Sequence, residues 1–70
     1  MYTVVLTTNY NCDPITYNKI VSIRQNKYVY SGDELLTHPF IIGIDLNLFT
    51  ENKQCVISTK DLVSIEITKE

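Results

Sequence analysis

The chain has 70 residues, a net charge of −2 and a hydrophobic content of 44%. A chain of this length forms one small domain, and we expect residues 1–70 to be a single small β domain. The balance of apolar and charged residues excludes an intrinsically disordered protein. Alanine, the best helix former, is absent, whereas β-branched and aromatic residues are abundant. The composition therefore predicts an all-β fold.

The charge distribution gives little support to nucleic-acid binding. The six Lys and Arg residues are scattered from Lys19 to Lys69 and form no cluster in sequence. Nucleic-acid-binding proteins usually carry a basic patch that neutralises phosphates. A fold or a symmetric oligomer can assemble such a patch from distant positions, so nucleic acid stays an alternative partner rather than the favoured one.

The first half of the chain predicts three strands and a loop. A strand is expected over Tyr2–Thr8, followed by a loop over Asn9–Pro14, where Asn, Asp and Pro disfavour regular pairing. Lys19–Arg24 supplies a second strand. Gln25–Lys27 then turns the chain, and Tyr28–Tyr30 returns as a hairpin or, alternatively, continues a bulged strand.

A short polar stretch interrupts the strand pattern in the middle of the chain. Ser31 and Glu34 have the spacing of a capping box, in which two side chains satisfy backbone N–H groups at a helix start. His38 precedes a proline, and a residue in that position is displaced from the helical region. We therefore expect at most one short helical turn, between Asp33 and Thr37.

The second half contains the clearest strand pattern. A strand is predicted over Ile42–Phe49, because the residues from Ile42 to Leu48 alternate strictly between apolar and other side chains, as in a half-buried strand. The pattern then predicts a hairpin loop at Thr50–Lys53, a returning strand at Gln54–Ser58 and a short break at Thr59–Leu62. A final strand, Val63–Ile67, is expected to bury one face. The residues expected to share the apolar face of the first of these strands are Ile42, Ile44, Leu46 and Leu48.

The layout of this second half resembles that of small SH3-like and Sm-like barrels. Those folds place a strand, a tight hairpin, a strand, a single 3₁₀ turn and a short closing strand in succession, and the loop Asn9–Thr16 would correspond to their first long loop. The resemblance is one of layout, without a family motif. It predicts a five- or six-stranded antiparallel barrel, and the alternative is an open β-meander with one short helix, an α+β arrangement.

Residues capable of chemistry do not form a recognisable catalytic or metal-binding pattern. His38 is the sole histidine, and Asp33 and Glu34 are adjacent carboxylates of the kind usually found on a solvated turn. The two cysteines, Cys12 and Cys55, match no metal-binding spacing, and a disulfide between them is the less favoured alternative to free thiols. A phosphate-binding glycine loop is missing from the sequence. We therefore expect no enzyme activity, no cofactor and no metal.

Targeting signals are also missing from the sequence. The first residues lack the basic and apolar regions of a signal peptide, and no apolar run approaches the roughly 18 residues of a membrane span. We therefore expect a reduced, cytoplasmic protein without a membrane partner.

The tyrosines are the strongest candidates for binding a partner. Tyrosine is enriched at interfaces because it offers a large rigid surface with one polar tip. Packing over the ends of a barrel is the alternative role for these rings. With the loop histidine included, the candidate partner-binding residues are Tyr10, Tyr17, Tyr28, Tyr30 and His38.

Two functions follow from these observations. The first is a non-enzymatic interaction module that binds a protein partner, or itself, through a sheet edge or a tyrosine-bearing loop. Its size and its Asn-, Ile-, Lys- and Tyr-rich composition suit an accessory factor of a phage or mobile element, such as an inhibitor of a host protein. The second is a small barrel that binds nucleic acid or a nucleotide as a homo-oligomer.

Overall fold

Seven strands and one short helix make up the computed structural model, which describes residues 1–10 and 13–70. Strands account for 54% of the residues and helix for 6%, so the mostly β fold predicted from composition is confirmed. In chain order the elements are β1 (Tyr2–Thr8), β2 (Ile15–Ile20), β3 (Ser22–Gln25), β4 (Tyr28–Ser31), α1 (Glu34–Thr37), β5 (Leu46–Phe49), β6 (Gln54–Ile57) and β7 (Leu62–Lys69).

The strands form two antiparallel sheets. Sheet 1 has the strand order β2-β1-β7, and sheet 2 has the order β4-β3-β5-β6. Across residues 1–10 and 13–70, no strand of one sheet pairs with a strand of the other. A closed SH3-like or Sm-like barrel is therefore not confirmed. The arrangement is not a simple meander either, because β7 returns to pair with β1.

The hydrophobic core is shared by both sheets and the helix. Alternation along β1 places Tyr2, Val4 and Leu6 on the same, buried face. Tyr2 also reaches the turn before α1, since its hydroxyl donates a 2.9 Å hydrogen bond to the Asp33 carboxylate. The other buried apolar residues are Ile20, Ile23, Leu35, Leu46, Leu48 and Leu62.

The chain passes from sheet 1 to sheet 2 at a bend between β2 and β3. Opposite Thr3 of β1, the β2 strand carries two residues, Asn18 and Lys19, and Lys19 has a φ of 60°. A bulge of this kind bends a strand and increases its twist. The predicted second strand, Lys19–Arg24, is wrong as one continuous strand because it is interrupted at Val21, between the end of β2 and the start of β3. Regular pairing begins earlier, at Ile15.

The predicted β3–β4 hairpin is confirmed, and its register determines which backbone groups of β4 face outward. Gln25 pairs with Tyr28 across the two-residue turn Asn26–Lys27. Asn26 has a φ of 59°, a positive value of the kind that tight hairpin turns need. Residues flanking such a turn bond each other, so the backbone of Tyr28 points toward β3. Because backbone polar groups alternate along a strand, those of Val29 point away from β3.

Two buried polar side chains hold the segment between α1 and β5. The Gln25 amide donates to the carbonyls of Ile41 at 2.8 Å and Ile44 at 3.1 Å, and it accepts from the Ile41 N–H at 2.9 Å. The Thr59 hydroxyl accepts from the Gly43 N–H at 2.7 Å and donates to the Ile44 carbonyl at 2.8 Å. These side chains take the place of the strand partners that a turn in this position lacks.

The same hydrogen bonds explain why the clearest predicted strand forms over only half of its predicted length. Of the predicted strand Ile42–Phe49, only Leu46–Phe49 is a strand. Gly43 has a φ of 109°, a conformation that favours glycine and ends the extended backbone. Ile42 is exposed rather than sharing a buried face with Leu46.

The second hairpin and the break after it follow the sequence prediction closely. Phe49 pairs with Gln54, and the Thr50 N–H donates to the Lys53 carbonyl at 2.9 Å within the predicted loop. In the break, the Leu62 N–H donates to the Thr59 carbonyl at 3.1 Å.

The closing strand is longer than predicted and contains a bulge. Its pairing with β1 shifts between Leu62 and Ser64, so Val63 is the extra residue. Val63 consequently faces solvent, and its predicted place on the buried face is wrong. Ile65 and Ile67 do pack against the core, as predicted.

The short helical turn is confirmed, but the capping box is wrong. Ser31 ends β4, and Asp33 occupies the N-cap position without a side-chain capping bond. Leu35 fixes the helix because it is fully buried in the core. His38 follows the helix in an extended conformation, as expected for a residue before proline.

Glu70 ties β7 to the bulge in β2. One of its carboxylate oxygens accepts hydrogen bonds from the Lys19 N–H at 2.7 Å and from the Thr3 hydroxyl at 2.9 Å. Both hydrogen bonds lower the pKa of the Glu70 carboxylate, and the bond from the Lys19 backbone has the larger effect.

We expect Thr59→Val to destabilise the fold by about 1–3 kcal/mol, because it removes both hydrogen bonds of the buried hydroxyl and leaves their backbone partners unsatisfied. Urea unfolding measures this loss. Thr68→Val, at an exposed position of β7, is the control and should change the stability by less than about 0.5 kcal/mol. Equal stability of the two variants would contradict the role of Thr59.

We expect Glu70 to make the fold sensitive to acid. A carboxylate whose pKa is lowered by folding stabilises the protein above its unfolded value of about 4.3, and this stabilisation is lost as the pH falls through the lower folded value. Urea unfolding at a series of pH values should therefore show that the free energy of unfolding falls less on acidification for Glu70→Gln than for the wild type. Glu66→Gln, an exposed position of β7, should keep the full loss. Identical pH profiles for the two variants would refute this role.

Candidate functional site

The structure brings together two of the partner-binding candidates and separates the others. Tyr30 and His38 are in direct contact, and Tyr28 lies on the same strand as Tyr30. Tyr10 is 78% exposed, with its hydroxyl 3.4 Å from the Asp61 carboxylate. Tyr17 is in β2, where it packs against the core. The candidate site is therefore centred on β4 and the segment after α1.

Three rings form an aromatic cluster beside β4, consisting of Tyr30, His38 and Phe40. The Tyr30 and His38 rings are stacked, with centroids 3.8 Å apart and an interplanar angle of 20°. Phe40 presents an edge to both, at centroid distances of 5.5 Å to Tyr30 and 4.7 Å to His38. The two edge-to-face contacts have a geometry that aromatic pairs favour. The cluster therefore fixes the chain after α1 against β4.

Phe40 is the member of this cluster that the sequence reasoning missed. It follows His38 and a proline, and the next residue, Ile41, is held on both backbone groups by Gln25. Those bonds place Phe40 next to Tyr30. The sequence does show an aromatic residue directly after the proline. The contacts of Phe40 with the other two rings, however, depend on Gln25, which is distant in sequence.

A shallow groove lies beside the cluster, between α1 and β7. Its volume is about 210 Å³, which is below the roughly 300–1,000 Å³ of sites that enclose small molecules. Its lining residues are Leu35, Leu36, His38, Pro39, Phe40, Ile65 and Ile67.

The free edge of β4 is apolar and exposed. Among the residues that the structure describes, β4 pairs only with β3. Tyr28 is 59% exposed and Val29 is 58% exposed. Val29 is therefore an exposed apolar residue whose backbone polar groups point away from β3. Ser31, two positions along the strand, repeats this outward orientation.

Two of the other sheet edges in the described part of the chain, those of β2 and β7, are obstructed in ways that the β4 edge is not. Bulges and charged residues protect sheet edges from unwanted pairing. The edge strand β2 has the bulge at Lys19, and β7 has the bulge at Val63 together with the charged Glu66. Neither a bulge nor a charged residue occurs along Tyr28–Ser31. The edge strand β6, at the opposite end of sheet 2, also lacks both, and a cleft of about 480 Å³ lies between it and β2.

The cleft between β2 and β6 contains Tyr17 and Cys55. Burial raises the pKa of Tyr17, and the neighbouring Cys55 raises it further. Cys55 carries a free thiol, and the alternative of a disulfide with Cys12 involves a residue that lies outside the described ones. A raised pKa keeps the Tyr17 hydroxyl protonated, whereas activation of a nucleophile requires a lowered pKa or an adjacent base.

A polar contact fixes the turn that leads from β4 into α1. Asp33 accepts from the buried Tyr2 hydroxyl at 2.9 Å and lies 3.5 Å from the ammonium of Lys69. The pKa of Asp33 is lowered mainly by the hydrogen bond from Tyr2 and, to a smaller extent, by the positive charge of Lys69. The pKa of Tyr2 is raised mainly by burial and, to a smaller extent, by its hydrogen bond to Asp33. The Asp33–Lys69 ion pair is exposed and contributes little by itself.

Residues 1–10 and 13–70 contain neither a candidate metal-binding cluster nor a candidate membrane-spanning helix. No three His, Cys, Asp or Glu side chains there are grouped closely enough to hold a metal ion. In that same part of the chain, no helix has the length and apolar character needed to cross a membrane.

Comparison with known proteins adds no assignment: no family model, curated protein or solved structure matches this chain.

Proposed function

We propose that the protein is a non-enzymatic interaction module that binds a protein partner by adding a strand to the free edge of β4. The observation that carries this proposal is the exposure of Val29, which is 58% exposed on an edge without a bulge or a charged residue. An exposed apolar edge of this kind is a template for pairing with another chain.

The aromatic residues supply contacts for the side chains of an added strand. Tyr28 and Tyr30 share one face of β4, and Val29 lies on the other. Alternate side chains of the partner would contact the tyrosines on the first face and Val29 on the second. In strand addition, the backbone bonds give affinity and the flanking side chains give specificity.

An accessory or inhibitor role toward a host protein would use the same edge. This role rests on the size and composition of the chain. Strand addition suits a small inhibitor because the backbone of one short strand supplies much of the binding, without a large core behind it.

We expect Val29→Lys to weaken strand addition by at least about tenfold, because a lysine at an edge position disfavours pairing. The probe is a displayed library of random peptides, selected on wild-type protein immobilised so sparsely that two copies cannot meet. Selected peptides should bind Val56→Lys as well as they bind the wild type. Val56 is a matched control, since it is also 58% exposed and lies at the opposite edge of sheet 2.

Two results would contradict the proposed function. One is a selection that yields no peptide. The other is a set of selected peptides that bind Val29→Lys as strongly as Val56→Lys.

A further inference from the structure

We infer that the strand accepted by β4 is β4 of a second copy of this chain, in a two-fold dimer that pairs Val29 with Val29. This inference rests on the proposed function and names the partner for the same edge. The dimer joins two copies of sheet 2, each of order β4-β3-β5-β6, into one continuous antiparallel sheet.

The orientation of the backbone is compatible with this register. Val29 and Ser31 are the residues of β4 whose N–H and C=O groups face outward. In an antiparallel pair centred on Val29, the two Val29 residues exchange hydrogen bonds reciprocally. Tyr28 then faces Tyr30 of the second copy, and Lys27 faces Ser31 of the second copy.

The sequence of the strand is self-complementary in this register. Tyr28-Val29-Tyr30 reads the same in both directions, so each tyrosine meets a tyrosine and the valine meets itself. Aromatic pairs directly opposite each other stabilise an antiparallel sheet. Displacement by two residues in one direction places Ser31 opposite Val29 and Gly32 opposite Tyr28, so the valine and one tyrosine of each copy lose their matching partners. Displacement in the other direction leaves Tyr30 opposite the turn residue Asn26.

The charges near the edge are complementary between two copies. Lys27 of one copy lies opposite Ser31 of the other, beside the acidic turn formed by Asp33 and Glu34. The Asp33 carboxylate is engaged by Tyr2 and Lys69 of its own copy, whereas Glu34 is exposed and accessible to that lysine. No two like charges face each other in this register, and opposite charges steer association.

The extent of the edge indicates a weak, concentration-dependent dimer. Pairing along one four-residue strand buries less than the roughly 1,200–2,000 Å² typical of stable interfaces. We therefore expect monomer and dimer to be in exchange, with the dimer favoured as the protein concentration rises.

A charge exchange at the two-fold axis tests this arrangement. Val29→Lys and Val29→Glu each place two like charges opposite each other, so each variant alone should associate at least about tenfold more weakly than the wild type. An equimolar mixture of the two variants places opposite charges together and should restore the dimer. Sedimentation velocity over a concentration series gives the populations, and circular dichroism checks that each variant is folded.

Val56→Lys and Val56→Glu are the controls at the opposite edge, and both should dimerise as the wild type does. The inference is overturned by a wild type that stays monomeric up to its solubility limit, by a dimer that persists in Val29→Lys, or by a mixture that stays monomeric. If one of these occurs while selected peptides still require Val29, strand addition stands and only the second copy is rejected. If the selected peptides also bind Val29→Lys as strongly as Val56→Lys, the proposed function fails as well.

Discussion

The hydrogen bonds of the buried Gln25 side chain are the constraint on which the rest of the structure depends. Gln25 belongs to β3, yet its amide holds the backbones of Ile41 and Ile44 beside that strand. A primary amide both donates and accepts, so it can replace the strand partners that this segment lacks. One consequence is that Phe40 is placed against Tyr30. The other is that the segment before β5 turns away from the sheet instead of lengthening it.

The sequence predicted those elements whose causes are local. Leu46–Phe49 and both hairpins follow from alternation and turn residues that lie within a few positions of each other. Ile42 was misplaced because hydrogen bonds from distant side chains outweigh the local pattern. The bulge at Val63 was not predictable, since it depends on the register with β1. At the site, tyrosine content pointed to Tyr30, whereas its contact with Phe40 requires the tertiary fold.

The exposed edge of β4 connects the fold to the proposed function. Natural β proteins obstruct their edges because free edges promote aggregation, and this chain does so at β2 and β7 with bulges. The edge at Val29 lacks such a device. A chain of 70 residues has a small core and little surplus stability, so an unprotected edge is a liability unless a specific strand covers it. In the proposed dimer, pairing with a second copy would remove that liability.

Amide hydrogen exchange measured at increasing protein concentration tests the pairing of β4 most directly. The amides of Val29 and Ser31 face outward on β4, and by the same alternation the amide of Val56 faces outward on β6. The account predicts that exchange at Val29 and Ser31 slows as the concentration rises, while exchange at Val56 stays unchanged. Equal exchange at Val29 at all concentrations, or equal slowing at Val56, would contradict it.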